Sequence, residues 1–124
     1  TGPFIQYTHA RICSIVRRAG EGGHSADLNV DAKVEMNDKE KLVVKILHSL
    51  PMTIRQAAGA YSPALIANYA YDLAKAFNSF YQDTPILRET DATLKAMRIN
   101  ICICVANALR NTMDILGIEV PERM

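Results

Sequence analysis

The strongest constraint on the fold is a run of apolar residues at helical spacing between Ser62 and Phe80. Pro63 suits the first position of a helix, where its missing N–H would have no partner anyway. Apolar side chains then recur every three or four residues, as on the buried face of an amphipathic helix. They are Leu65, Ile66, Tyr69, Leu73, Ala76, Phe77 and Phe80. This pattern predicts a helix that packs into a core.

Two further helices are predicted on the N-terminal side of this one. Residues 3–19 have an apolar stripe of the same period, whereas residues 20–37 are polar and predict a long surface loop. Asn37 matches a helix N-cap, with Glu40 three residues later, as in a capping box. The second helix follows, and Pro51 is expected to end it. Its predicted buried residues are Leu42, Val43, Ile46, Leu47 and Leu50.

A short third helix is predicted over residues 52–60, and a long fifth helix follows the one that begins at Pro63. Thr90 or Asp91 caps the fifth helix, which is expected to end at Gly117 because glycine is favoured just beyond a helix. Strand-like alternation is confined to short stretches. The sequence therefore predicts an all-α helical bundle of about five helices, forming a single domain over residues 1–124.

Composition excludes several classes of protein. The chain has 14 basic and 13 acidic residues, so its overall charge does not indicate a nucleic-acid or membrane partner. No apolar run reaches the length of a membrane span, and no signal peptide is visible. The three cysteines, Cys13, Cys102 and Cys104, lack the spacing of a disulfide framework. We expect a reducing, cytoplasmic setting, with each cysteine acting as a small buried apolar residue.

Motifs for catalysis or for metal binding are not found in the sequence. The segment "GEGGHS" at residues 20–25 lacks the lysine followed by serine or threonine that a phosphate-binding loop needs. His9, His24 and His48 are far apart in sequence, without the paired spacing of a zinc site. We therefore predict no catalytic residue, no metal site and no cofactor for this chain by itself.

The polar face of the first helix is the leading candidate for a binding surface. Tyr7, Arg11, Ser14 and Arg18 are separated by steps of four, three and four, so they lie on one side of the helix. Arginines pair with phosphates, and a tyrosine stacks on an unpaired base, so this face suits an RNA loop. A solvated basic helix face would show the same pattern, and the residues alone leave both readings open.

The fourth predicted helix offers a second polar face. Tyr71, Lys75, Asn78 and Gln82 lie away from its apolar stripe. A tyrosine that faces water would be unusual for a purely structural residue, but Tyr71 could equally pack against a neighbouring helix. The sequence leaves these two alternatives open.

Three blocks of the chain resemble class I arginyl-tRNA synthetases. "GPFIQYTHARICSIVRRA" resembles the segment after their catalytic domain, and "YAYDLAKAFNSFYQDTPIL" resembles the middle helix of their anticodon-binding domain. "ALRNTMDILGIEVPERM" resembles their carboxy terminus. The blocks occur in family order, so the chain is identified as a DALR-type anticodon-binding domain from the end of a longer synthetase. In "NALR", Asn107 replaces the acid of the motif after which this domain is named.

The resemblance implies a function and a set of RNA contacts. Such a synthetase joins arginine to its tRNA with ATP and magnesium in an upstream catalytic domain, and the helical domain grips the anticodon region. Carried over to matching positions, the candidate contacts are Tyr7, Arg11, Tyr71, Asn78 and Met124. Each has a structural alternative, such as an ion pair between Arg11 and an internal acid. A helical protein–protein scaffold that does not bind RNA is the alternative function.

The last residues are expected to be ordered. Gly117 lets the backbone turn out of the last helix, and Pro121 restricts the segment that follows. Ile118 and Val120 alternate with polar neighbours, so one side of this segment can pack. We therefore expect Met124 to lie against the first helix, close to Tyr7 or Arg11.

Overall fold

The computed structural model describes residues 1–24 and 33–124. Residues 25–32, which belong to the loop predicted over 20–37, lie outside the described residues. The described residues contain five α-helices and no strand, so the predicted all-α bundle is confirmed. The helices are α1 (Gly2–Glu21), α2 (Asp38–His48), α3 (Leu50–Gly59), α4 (Pro63–Asp83) and α5 (Ala92–Ile115).

The helix ends follow from local hydrogen bonding. The Asn37 side chain accepts the Glu40 backbone N–H at 2.8 Å, and the Glu40 carboxylate accepts the Asn37 N–H at 3.1 Å, so the predicted capping box is confirmed. Asp91, not Thr90, caps α5 by accepting backbone N–H groups of the first turn. Gly117 leaves the helix with a φ of 74°, a conformation that glycine adopts without strain.

Pro51 has a different place from the one predicted. We expected it to end α2, but α2 ends at His48, and Pro51 lies in the first turn of α3. A proline is tolerated there because the first-turn N–H groups have no partner inside the helix. The prediction of burial is also wrong for two residues of the stripes, since Leu42 is 50% exposed and Leu65 is 37% exposed. Each precedes a buried neighbour, so it lies about 100° around the helix from the buried face.

The core is built around α4 and α5. Helix α5 contacts α1, α2 and α4, and α4 also contacts α3. Most of the largest side chains that are shielded from solvent come from α1, α4 and α5. They include Ile12, Leu73, Phe77, Phe80, Ile99, Leu109 and Met113.

Helix α5 is long and apolar enough, at 24 residues, to cross a membrane by length and composition alone. The expectation that no segment reaches this length is therefore wrong for α5. Half of its most apolar stretch is buried inside the bundle, which is the pattern of a core helix. One side of α5 is buried and the other is exposed, as its two cysteines show: Cys102 is buried, whereas Cys104 is exposed. Burial raises the pKa of Cys102 to about 12. The expectation that every cysteine is buried is thus wrong for Cys104, since residues two apart on a helix face nearly opposite sides.

Candidate nucleic-acid interface

The four residues predicted on the polar face of α1 line a single open cavity of about 430 Å³. We call this cavity the arginine groove. Its walls come from α1, from α4 and from the last residues of the chain. It is lined by Tyr7, Ala10, Arg11, Ser14, Ile15, Arg17, Arg18, Tyr81, Arg123 and Met124.

Arg11 lines this groove between two tyrosine rings. Its guanidinium carbon lies 5.0 Å from the ring centroid of Tyr7 and 5.0 Å from that of Tyr81, at cation–π distance. Its Nη1–H donates to Asn78 Oδ1 at 2.7 Å, and its Nη2–H donates to the Tyr7 hydroxyl at 3.3 Å. These partners are neutral, so they orient the guanidinium without cancelling its charge.

Asn78 lies behind Arg11, and its amide is bonded to the interior of the bundle. The Nδ2–H group donates to Thr8 Oγ1 and to the Ala74 carbonyl, each at 2.9 Å, while Oδ1 accepts from Arg11. Thr8 is itself fully buried. This arrangement holds the Arg11 guanidinium against α4.

Tyr71 is not brought into the groove. Its ring lies 5.7 Å from the ring of Phe4, near the start of α1, and the two planes are tilted by 56°. The side chain is 37% exposed. Tyr71 therefore packs against a neighbouring helix, α1, which is one of the two alternatives that the sequence left open.

The groove residues missed from the sequence include Arg17 on α1 and, from other segments, Tyr81 and Arg123. The Tyr81 ring stacks on Phe77, with centroids 6.2 Å apart and planes 20° apart, yet it remains 39% exposed. Tyr81 follows Asn78 by three residues, so its position on the same face of α4 was a usable signal. Arg123 gave no such signal, because it lies in a segment without helical periodicity.

The segment of residues 118–124 runs along α1 and carries Arg123 and Met124 to the groove. Three side chains of α1 bond to its backbone carbonyls. Gln6 Nε2–H donates to Glu119 O at 3.0 Å, His9 Nδ1–H donates to Pro121 O at 2.8 Å, and Arg17 Nη1–H donates to Glu122 O at 3.4 Å. Met124 was expected close to Tyr7 or Arg11, and it does line the same cavity as these residues, although its side chain is 70% exposed.

A second cavity of about 310 Å³ adjoins the groove and shares Ile15, Arg18 and Tyr81 with it. We call it the loop pocket, because Thr84–Arg88, between α4 and α5, form its other wall together with Gln82. Among the described residues, neither cavity is lined by an aspartate or a glutamate. The arginines around the two cavities are Arg11, Arg17, Arg18, Arg88 and Arg123.

This clustering explains how a chain with a net charge of +1 can present a strongly basic face. Several acids are bonded elsewhere, such as Asp83 to Lys39 and Glu40 to Arg98. Asn107 is exposed on α5, where it lines a separate hollow with Cys13 and Arg110. Within residues 1–24 and 33–124, no three His, Cys, Asp or Glu side chains are grouped as metal ligands.

Comparison with known proteins gives one consistent family. The model of the DALR anticodon binding domain matches residues 5–124. Arginine–tRNA ligases of Bacteroides thetaiotaomicron and Flavobacterium psychrophilum are 45% and 47% identical over all 124 residues. The chain spans about a fifth of their length, 21% and 20% respectively. The Thermus thermophilus arginyl-tRNA synthetase structure matches the whole chain with a TM-score of 0.86 and 31% identity, over 21% of its own length.

Proposed function

The chain belongs to the DALR anticodon-binding domain family, and we propose that it binds the anticodon stem-loop of an arginine-accepting tRNA. It would do so as the helical domain of an arginine–tRNA ligase. The observation that carries the proposal is the arginine groove, in which Arg11 lies between two tyrosine rings. Single-stranded RNA loops offer phosphates and unstacked bases together, and this groove has a partner for each.

The groove residues divide by the part of RNA that they suit. Arg11 and Arg18 match phosphate oxygens, because a guanidinium binds them through paired, charge-assisted hydrogen bonds. Tyr7 and Tyr81 are 50% and 39% exposed and suit stacking on bases, which tolerates different base identities. Ser14 supplies a hydroxyl, and Met124 supplies an adaptable apolar surface. Asn78 contributes indirectly, by fixing Arg11 in the bound geometry.

The loop pocket would extend this surface, since Arg88 and Gln82 lie next to Arg18 across it. Tyr71 would contact RNA only at the margin, because it lies with Phe4 away from the groove. Binding by this chain alone is expected to be weak. A net charge of +1 gives little long-range attraction, so affinity must come from local contacts and from the rest of the enzyme.

The parent enzyme would supply the chemistry. By family, an upstream catalytic domain would bind ATP with magnesium and attach arginine to the tRNA, in the cytoplasm and without a membrane partner. The present chain would orient the tRNA from the anticodon end. The alternative of a protein–protein scaffold has no support from the relatives, which are arginine–tRNA ligases.

Titration of a fluorescently labelled anticodon stem-loop tests this proposal, with the stem-loop of an unrelated tRNA as competitor. Arg18→Ala should weaken binding about five- to tenfold, because one charge-assisted phosphate contact is lost. It should also reduce the slope of log affinity against log salt by about 0.7, the value for one single-stranded phosphate.

Arg55→Ala is the matched control, because Arg55 is an exposed arginine on α3 that lines neither cavity. It should change the affinity by less than about twofold. Equal losses for the two variants would mean that binding follows total charge and not the groove. Absence of measurable binding at about 50 mM salt would refute the proposal for this chain.

A further inference from the structure

The segment of residues 119–124 is joined to α1 by a buried histidine that the proposed RNA contacts do not use. We infer that His9 is a positioning residue for RNA binding, whose Nδ1–H holds this segment so that Arg123 and Met124 complete the arginine groove. The inference rests on the proposed function and adds to it a residue with no RNA contact of its own.

The geometry assigns the proton to one nitrogen of His9. The side chain is fully buried, and Nδ1 lies 2.8 Å from the carbonyl oxygen of Pro121. A carbonyl can only accept, so Nδ1 must carry the hydrogen. Cys13 Sγ lies 3.8 Å from both ring nitrogens, which is a weak contact by comparison. The bond to Pro121 therefore sets both the tautomer and the ring orientation.

This bond differs from the other two that hold the segment. Gln6 and Arg17 reach Glu119 and Glu122 through exposed bonds, for which water competes. The His9 ring is fully buried and its bond to Pro121 is partly buried, so water competes less for it, and hydrogen bonds in a less polar environment are stronger. Pro121 adds to the effect because its fixed φ narrows the directions that its carbonyl can take.

The segment can also leave this position without disrupting a helix. It follows Gly117 at a positive φ, and Ile118 N–H bonds back to Met113 O at 2.9 Å, which completes the end of α5. Beyond that point, Val120 packs against the core and His9 bonds to Pro121. Arg123 and Met124, two and three residues further on, depend on these anchors for their place in the groove.

Two substitutions of His9 separate positioning from folding. His9→Leu has similar bulk and no donor, whereas His9→Asn keeps an N–H close to the position of Nδ1. The readouts are stem-loop affinity and amide hydrogen exchange of residues 119–124. His9→Leu should weaken binding about five- to tenfold and speed exchange in this segment, while His9→Asn should stay within about twofold of the wild type.

A double-mutant cycle tests whether His9 affects RNA binding through Arg123 and Met124. In an Arg123→Ala/Met124→Ala background, His9→Leu should cause no further loss of affinity, because nothing remains to be positioned. A full five- to tenfold loss in that background would overturn the inference, and so would unchanged exchange of residues 119–124 in His9→Leu.

The outcomes also distinguish this inference from the proposed function. If the wild type binds no RNA, the proposed function fails, while the exchange measurement still tests the His9 bond. If His9→Leu does not fold, His9→Met replaces it, since methionine also lacks an N–H donor and adapts to its surroundings. Faster exchange in the segment of residues 119–124 and weaker binding in His9→Met, with the loss of binding absent in the double-alanine background, support the positioning role. Unchanged exchange and affinity in His9→Met refute it.

Discussion

Arg11 and Arg98 are both fixed by side chains from other helices, yet their surroundings differ in one decisive respect. Arg98 is 7% exposed, and its guanidinium donates to Glu40 Oε2 at 3.4 Å, to Glu89 Oε1 at 2.8 Å and to Pro85 O at 2.8 Å. Arg11 is held by an amide and two tyrosines, none of which carries charge. The charge of Arg98 is therefore neutralised inside the fold, whereas that of Arg11 is not.

The comparison shows that the charge of the partners, and not order alone, decides whether an ordered arginine keeps its charge available to a ligand. Both side chains are ordered, so neither loses much rotamer freedom when it acts. An arginine oriented by neutral groups keeps its attraction for a phosphate. An arginine bonded to carboxylates contributes little positive potential at the protein surface, because the opposite charges cancel. Arg98 still serves the surface indirectly, because its bonds to Pro85 and Glu89 fix the wall of the loop pocket.

Removing the buried arginine should have the largest effect. Arg98→Met leaves the Glu40 carboxylate, which is 1% exposed, without its ionic partner. We expect the free energy of unfolding to fall by about 3–5 kcal/mol, because an uncompensated buried charge is costly. Urea denaturation at neutral pH measures this change. Glu40→Gln added to Arg98→Met should recover part of the loss, and a loss below about 1 kcal/mol would contradict the structural role of Arg98.

Truncations of the buried face of α4 should come next. Leu73→Ala and Phe77→Ala each remove a fully buried side chain and should cost about 2–5 kcal/mol of unfolding free energy. Lys75→Ala, exposed on the same helix, is the control and should cost less than about 0.5 kcal/mol. Denaturant midpoints test this, and wild-type stability in either variant would mean that the orientation of α4 is wrong.

Leu73→Ala is the cleaner of the two tests for RNA binding. Phe77 stacks on Tyr81, so its truncation can loosen a groove residue as well as the core. Leu73 is buried about two helical turns before Tyr81 on α4 and lines neither cavity. Its truncation should therefore lower stability while leaving the stem-loop affinity of the folded protein within about twofold.

Sequence reasoning predicted the helices because each depends on local information. The stripes of α1 and α4, the capping box at Asn37 and the turn at Gly117 can each be read within a few residues. The predictions of burial were wrong at Leu42 and Leu65, because the width of the buried face of a helix depends on which other helices pack against it. The family could also be predicted from the sequence, because the resemblance lies in contiguous blocks of residues.

The candidate site was predicted less completely because it is assembled from three distant segments. The α1 face was found by its period, but Tyr81 and Arg123 join it only through folding. Asn78 was predicted as an RNA contact from the resemblance, whereas its bond to Arg11, 67 residues away in the chain, is visible only in the fold. No local pattern shows that Arg11 faces neutral partners while Arg98 faces acids, although this difference decides which arginine is available to a ligand.

Substitution of Arg11 should affect binding more than folding, the reverse of Arg98. Arg11→Ala should weaken stem-loop binding by about 1–3 kcal/mol, through loss of a charge-assisted contact. Its effect on unfolding should be below about 1 kcal/mol, because its bonds are to neutral, half-exposed groups. Arg11→Lys keeps the charge without the planar fork and should recover only part of the affinity. Equal losses of stability and affinity would remove the distinction between the two arginines.

Tyr69 in the interior and Tyr7 in the groove differ in the same way, and substitution of Tyr69 is expected to change stability less than substitution of Arg98. Tyr69 is 7% exposed, and its hydroxyl donates to Ile46 O at 2.8 Å, whereas Tyr7 is 50% exposed in the groove. Burial raises the pKa of Tyr69 to about 12. Removing the hydroxyl in Tyr69→Phe should cost about 1 kcal/mol at neutral pH, the usual net value of one hydrogen bond.

The pH dependence supplies the sharper test of this difference. Tyrosine in the unfolded chain ionises near pH 10, whereas Tyr69 in the folded chain stays protonated until about pH 12. Ionisation therefore favours the unfolded state between these values, so the stabilisation by the Tyr69 hydroxyl is complete below about pH 10 and decreases above it. From about pH 9 to 11, the wild type should lose about 1.4 kcal/mol more than Tyr69→Phe. Parallel stability curves for the wild type and Tyr69→Phe would show that Tyr69 ionises alike in the folded and unfolded states.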